Sequence, residues 1–344
     1  MTSSPQKSIN LIEIRKIIDH FPIPALEPVT FALQREVLLT KPAGSLGRLE
    51  KLTEWFVKWQ GKYPPALEHP RIAVFAGNHG INRHHVSAYP SSVTQQILKN
   101  FIQGGGAINQ LSALFDSDLR VYEMSLDEGT ADFSQMPAMS EESCAKSFAY
   151  GMMAVEPGID LLCLGEMGIG NTSSAAALCL GLFGGKAEDW VGYGTGINQT
   201  IWAQKVGLVK QAVTLHQPGI KDSFDWMRCV GGHELAAIAG AIIAARMARV
   251  PVVLDGFACT AAASVLYHYN HHSLDHCIVS HLSTEPGHKL LLSKIGKSAV
   301  LDLQLRLGEG TGAALMIPLI KAALACHNGM ATFAEAEVST KIIS

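Results

Sequence analysis

Charge is scarce in this sequence and neither sign dominates: 17% of the 344 residues are charged and the formal net charge is −3. A basic footprint for nucleic acid is therefore missing. The seven cysteines are odd in number and scattered, several of them (Cys163, Cys179, Cys259) within apolar runs, and no Cys-x-x-Cys occurs. This excludes a disulfide framework and a zinc ribbon, and predicts reduced thiols in a cytoplasmic protein. The first twenty residues carry no signal-peptide core. No uncharged apolar run reaches the roughly 18–20 residues of a membrane span. The nearest, AAIAGAIIAARMARVPVVLDG, is interrupted by Arg246 and Arg249 and broken by Pro251. Common nucleotide signatures are missing too. There is no G-x-x-x-x-G-K-[ST] loop, and VVLDG supplies one acid, Asp255, where a magnesium–pyrophosphate site needs a pair. No serine or cysteine sits in a G-x-S-x-G context, so a hydrolase triad is not indicated.

Apolar residues are plentiful, at 48%, enough to bury a large core. Six short apolar runs recur: RIAVFAG (71–77), LRVYEM (119–124), IDLLCLG (159–165), DWVGYG (189–194), VPVVLDG (250–256) and HCIVSHLS (276–283). Near-continuous apolarity marks strands buried on both faces. Between them lie helical patterns such as 172–183 and 233–248. Strand, glycine turn and helix in repetition predict an α/β protein with a Rossmann-like parallel sheet of about six strands. Both chain ends read as helical, with Pro22, Pro24 and Pro28 setting the first helix apart. The expected organisation is a small helical domain from residues 1–30 and 318–344, beside a large domain over 31–317.

Ligands of open parallel sheets sit beyond the carboxyl ends of the strands. Those ends carry AGNHG, GEMGIGNTSS, GYGTG, DGF and HLSTEPG. In GEMGIGNT the glycines open the backbone to a ligand, Asn171 or Thr172 caps the next helix, and a helix N-terminus attracts anions. Glycine turns also arise for geometry alone, so phosphate binding and a plain bend both stand. KPAGSLGRLE (41–50) divides in the same way. Glu309, between glycines in the apolar stretch LRLGEGTGAAL, is either a solvated turn carboxylate or a group kept for chemistry; a dry site raises a carboxyl pKa and makes a better proton acceptor. GEGTGAA is similar to a dinucleotide fingerprint, but no apolar strand directly precedes it.

Eight segments occur in the order found in the nicotinate-nucleotide–dimethylbenzimidazole phosphoribosyltransferases: KPAGSLGRLE, GNHG, VSAYPSSVT, GEMGIGNT, VGGHELAAIAGA, PVVLDGF, SHLSTEPG and LRLGEGTGAAL. The chain resembles that family over residues 30–325. The resemblance implies transfer of the phosphoribosyl group of nicotinate mononucleotide to a benzimidazole nitrogen, giving α-ribazole 5′-phosphate and nicotinate for the lower ligand of cobalamin. It implies Glu309 as general base and Glu166 as the second carboxylate near the ribose. It implies Gly168, Gly194, Lys205, Ser283 and Thr284 around the phosphate, and Met167 and Leu307 as walls of the aromatic slot. Tyr89 and Ile97 stand where some members carry a serine before proline and a glutamine, and Asn78 stands where an aspartate is frequent. An aromatic acceptor is therefore implied more firmly than dimethylbenzimidazole itself. The resemblance also implies small-molecule partners, a homodimer, and neither cofactor nor metal.

Two alternatives remain: a nucleotide N-glycosidase with water as acceptor, and a mononucleotide-binding protein without turnover. The histidines His268, His271, His272 and His276 suggest a metal face only if one helix carried them all, and YNHHSLDH reads as a helix running into a loop.

Overall fold

The computed structural model describes residues 10–339. The outermost parts of both expected terminal helical regions, residues 1–9 and 340–344, lie outside the described residues. The chain opens with three helices, α1 (Leu11–Asp19), α2 (Leu26–Glu36) and α3 (Arg48–Gln60). Strand β1 (Pro70–Gly77) follows, then α4 (Ser92–Ile102), α5 (Ala107–Leu114), β2 (Asp118–Met124) and α6 (Glu141–Met152). After β3 (Leu161–Met167) come α7 (Asn171–Phe183), α8 (Ala187–Trp190), α9 (Gln199–His216), α10 (Ser223–Val230) and α11 (His233–Met247). The last third runs β4 (Val252–Leu254), α12 (Phe257–Tyr269), β5 (Cys277–His281), α13 (Pro286–Lys294), β6 (Ala299–Leu301), α14 (Thr311–Ala314) and α15 (Met316–Gly329).

The strands form one parallel sheet in the order β2-β1-β3-β4-β5-β6. Successive side chains of a strand point to opposite faces. Ala73 and Phe75 of β1 accordingly join the core built with α6, α7, α11 and α12. Ile72 and Val74 join the core on the other face, with α3 and α15. Burial on both faces explains why β1, β3, β4 and β5 read as near-continuous apolar runs, whereas the edge strand β2 is half-exposed and carries Arg120 and Glu123.

One expected strand is not a strand. In DWVGYG, Trp190 closes the short helix α8 and the residues after it form a turn. The run is apolar because Trp190 and Val191 are buried, not because it pairs. The sixth strand is instead β6, a half-buried edge strand paired to β5 through Val279↔Ala299 and His281↔Leu301. Pro28 falls inside the first turn of α2, where a missing N–H is tolerated. Helices α2 and α15 both pack on α3, whereas α1 buries Leu11, Ile14 and Ile18 in the main core and contacts α6.

Helix α11 has apolar residues on every side of its middle turns, and all but Ala244 and Met247 are buried. It lies against α6 at two glycines. A Cβ at Gly151 would strike the Ala237 carbonyl, and one at Gly240 would strike the Phe148 carbonyl.

Candidate active site

Strand order reverses direction between β1 and β3, and a crevice opens outside their carboxyl ends. A cavity of about 500 Å³ lies there, lined by residues 86–97, the turn after β3, Gly194 and Thr195, the start of α12, and residues 306–309.

Glu166 is the penultimate residue of β3, opposite Phe75 of β1. Its carboxylate accepts from the Asn171 side chain. The backbone N–H of Glu309 donates to the Glu166 carbonyl at 2.9 Å, so the main chain ties the two acids together. Glu309 has φ +63°, flanked by Gly308 at +80° and Gly310 at +77°. The left-handed region costs a non-glycine residue roughly 1–2 kcal/mol, a strain typical of functional turns. Gly165 explains how the turn sits so low: a Cβ there would collide with the backbone N of Gly310. A Cβ at Gly308 would be 2.5 Å from Glu166 Oε1. The glycines of GEM and GEG therefore press the two acids together.

Burial raises Glu309 to about 7, and the neighbouring Asp255 carboxyl adds to the shift. Glu166 rises to about 8, first by burial, then by Asp255; Glu234 and Glu309 add to it and the Asn171 hydrogen bond opposes it. Two carboxyls at a cavity wall are thus held near neutrality, the condition for moving a proton at physiological pH.

At the other end of the cavity, Lys205 of α9 is 1% exposed. Its Nζ donates to Thr172 Oγ1 at 2.8 Å and to the Gly192 carbonyl at 3.3 Å. Desolvation lowers it to about 8, with Glu285 opposing. Gly194 (φ +52°) donates its N–H to Glu285 Oε1 at 2.9 Å, and Arg306 Nη1 donates to the Gly194 carbonyl at 3.2 Å. Helix α7 begins beside these groups with Gly170 at its cap position and no capping side chain. A buried cation and an uncapped helix N-terminus together suit an anion.

Of the residues expected from the sequence, Glu309, Glu166, Gly168, Gly194, Ser283, Tyr89, Ile97, Met167 and Leu307 all line this cavity. Lys205 and Thr284 do not. Lys205 stands behind Thr172, and the Thr284 N–H is taken by the Leu305 carbonyl. Asn171 is the first residue of α7 rather than its cap, and serves Glu166 instead. Asn78 faces a neighbouring cavity and donates to the Leu126 carbonyl at 2.8 Å. Lys41 of the KPAGSLGRLE segment pairs with Glu36 and Glu50, which makes that segment a structural bend. The four histidines are spread over the end of α12, the following turn and the approach to β5, with His276 Nε2 on the Ile242 carbonyl at 3.0 Å.

Arg306 and Glu285 were missed from sequence, and Asn171 was read as a helix cap rather than as the partner of Glu166. Arg306 and Asn171 sit within five residues of the two acids and belong to the same motifs, so motif proximity was an available signal. Glu285 gives no sign of its work before folding brings it to Gly194.

Comparison with known proteins adds a family. A phosphoribosyltransferase family model (DBI_PRT) matches residues 25–338. A Brucella canis protein named nicotinate-nucleotide–dimethylbenzimidazole phosphoribosyltransferase is 52% identical, over 95% of this chain and 96% of its own. A Brucella melitensis biotype 1 protein of the same name is 51% identical over the same shares. The crystal structure of CobT from Thermus thermophilus superposes with a TM-score of 0.87 at 38% identity, covering 92% of this chain and 100% of that one.

Proposed function

The chain belongs to the phosphoribosyltransferase family that contains these nicotinate-nucleotide–dimethylbenzimidazole enzymes, and on that premise we propose how its residues divide the reaction. The enzyme transfers the 5-phosphoribosyl group of nicotinate mononucleotide to 5,6-dimethylbenzimidazole or a related aromatic base, a step in building the lower ligand of cobalamin. The acceptor lies in the slot bounded by Tyr89, Ile97, Met167 and Leu307. Its free ring nitrogen attacks C1′ of the ribose. The bond from C1′ to the pyridinium nitrogen breaks, and its electron pair neutralises that cation as nicotinate leaves. Glu309 takes the proton from the other ring nitrogen of the acceptor. Attack opposite the leaving group turns a β-glycoside into an α-glycoside. Glu166, held by Asn171, faces the ribose and steadies the charge that develops there. The phosphate is held by the α7 N-terminus, Gly194 and Ser283, with Lys205 behind them.

The observation that carries this reading is the pair of raised carboxyls joined by one main-chain hydrogen bond at the wall of the cavity. The test is nicotinate release from nicotinate mononucleotide. Release is expected only when an aromatic base is added; release at the same rate without base would make the enzyme an N-glycosidase, and none with any base would end the assignment.

Lys205→Ala should raise the Kd for nicotinate mononucleotide by about 10–10²-fold, the worth of one charge-assisted hydrogen bond, and lower kcat much less. Calorimetric titration beside steady-state kinetics checks it. A larger loss in kcat than in affinity would assign the lysine to the chemistry.

We place the enzyme in the cytoplasm as a homodimer. Seven free cysteines, six of them buried, support a reducing compartment. Exposed apolar side chains on and beside α2 (Ile23, Leu26, Leu33, Val37, Leu38) support a partner face. No helix among the described residues is long and apolar enough to cross a membrane.

A further inference from the structure

We infer that Asp255 is a positioning residue for Glu309: its buried carboxylate clamps the Gly308–Gly310 turn and the start of α14, and so aims the general base. This deepens the proposed reaction and rests on Glu309 being the proton acceptor.

Asp255 directly follows β4 and is 0% exposed. It does not line the cavity, so it acts through another group. Its Oδ2 accepts the Gly310 N–H at 3.2 Å and its Oδ1 accepts the Ala313 N–H at 3.0 Å. The Gly312 N–H also faces it. Helix α14 has Gly310 at its cap position and no capping side chain of its own. A carboxylate from a distant strand therefore does what a local cap does elsewhere. Gly312 allows the approach: a Cβ there would collide with His281 Nδ1 and lie 2.9 Å from Asp255 Oδ1. Glu309, left-handed and not glycine, keeps its conformation only while its surroundings hold it. The clamp on the next residue supplies that hold.

The charge of the clamp also reaches the base. Asp255 faces His281 of β5 at 3.6 Å from Nδ1. Cys163 and Glu166 on β3 and Cys259 on α12 feel it as well, and Glu234 of α11 bears on Glu166. Helix α5, packed on α14, carries no titratable residue, and Lys321 of α15 donates to the Phe115 carbonyl. On the Glu309 segment itself, Arg306 is turned to Gly194. Burial raises Asp255, while His281 and the three N–H groups favour its ionised form.

Asp255→Asn removes the charge at nearly constant size and sets an amide N–H against backbone N–H groups. The expected result is a kcat lowered by about 10–10²-fold, as for a misplaced catalytic group. The KM for nicotinate mononucleotide should stay within about threefold, because the phosphate loops are not clamped by this residue. The acid limb of the kcat–pH profile should move to lower pH by roughly one unit, because a like charge beside Glu309 is gone. Asp255→Ser, also neutral, reads the same limb if the asparagine variant does not fold. A folded variant whose limb is unmoved, or whose KM and kcat worsen together, overturns the inference; so does failure of both variants to fold, which would make Asp255 a residue of the fold alone. Glu309→Gln separates the two levels. If it keeps the native acid limb, the assignment of the base fails; if it loses the limb while Asp255→Asn leaves it in place, only the clamp fails.

Discussion

Glu309→Gln lowers kcat by about 10²–10⁴-fold, the usual worth of a positioned general base, and leaves the affinity for nicotinate mononucleotide near that of the native enzyme. The amide keeps the size of the side chain, and the left-handed turn is held by main-chain bonds that the substitution does not touch. Only the proton acceptor is lost. The pH dependence carries the same signature. Below about 7 the native carboxyl is protonated and cannot accept, so kcat falls toward acid pH. Glutamine does not titrate, and the limb should vanish with the rate. A second consequence has the opposite sign. Burial raises this carboxyl from its ordinary 4.5 to about 7, so stability falls as pH climbs through that interval and the loss is complete above about 7. The inactive variant should therefore melt at a higher temperature than the native enzyme at pH 8, with the difference shrinking as pH falls from about 7 toward 4.5. A kcat within tenfold of native would reassign the base, with Glu166 as the next candidate.

Gly240→Ala and Gly151→Ala each destabilise the fold by about 3 kcal/mol or more. Helix propensity argues the reverse, since alanine is better than glycine in a helix by about 1 kcal/mol. Sterics decide because the atoms in the way are backbone carbonyls, Phe148 against Gly240 and Ala237 against Gly151, which cannot rotate aside. Helices α6 and α11 would have to separate, and α11 is buried along nearly its whole length. Gly207→Ala is the control. It lies exposed on α9 with open space around its would-be Cβ, and should gain roughly 0.5–1 kcal/mol from propensity alone. Urea unfolding midpoints at constant m-value compare the three. Losses at 151 and 240 no larger than about 1 kcal/mol would mean that the helices separate easily.

Much of this was legible before folding was considered. Five strands could be read from apolar runs, four of them because strands buried on both faces write themselves that way, and the half-exposed edge strand β2 through its Leu119, Val121, Tyr122 and Met124. The run at 189–194 misled for the same reason. Trp190 and Val191 are as buried as any strand residue, and apolarity reports burial before it reports pairing. The edge strand Ala299–Leu301 was missed because half-buried residues write a weak signal. In the site, glycines on both sides of Glu309 announced a special backbone, and the structure shows left-handed residues at 308, 309 and 310. Asp255 was visible only as a solitary acid. Its meaning depends on Gly310 and Ala313, more than fifty residues away, a relation that no local pattern encodes.

The acids are fastened to each other, yet neither acid side chain hydrogen-bonds to the stretch from Val86 to Ile97 that forms one side of the slot. On the proposed reading, residues of that side such as Tyr89 and Ile97 can be exchanged, and with them the ring that is welcomed, without unseating either acid. The opposite wall has no such liberty, because Met167 and Leu307 share their segments of chain with Glu166 and Glu309.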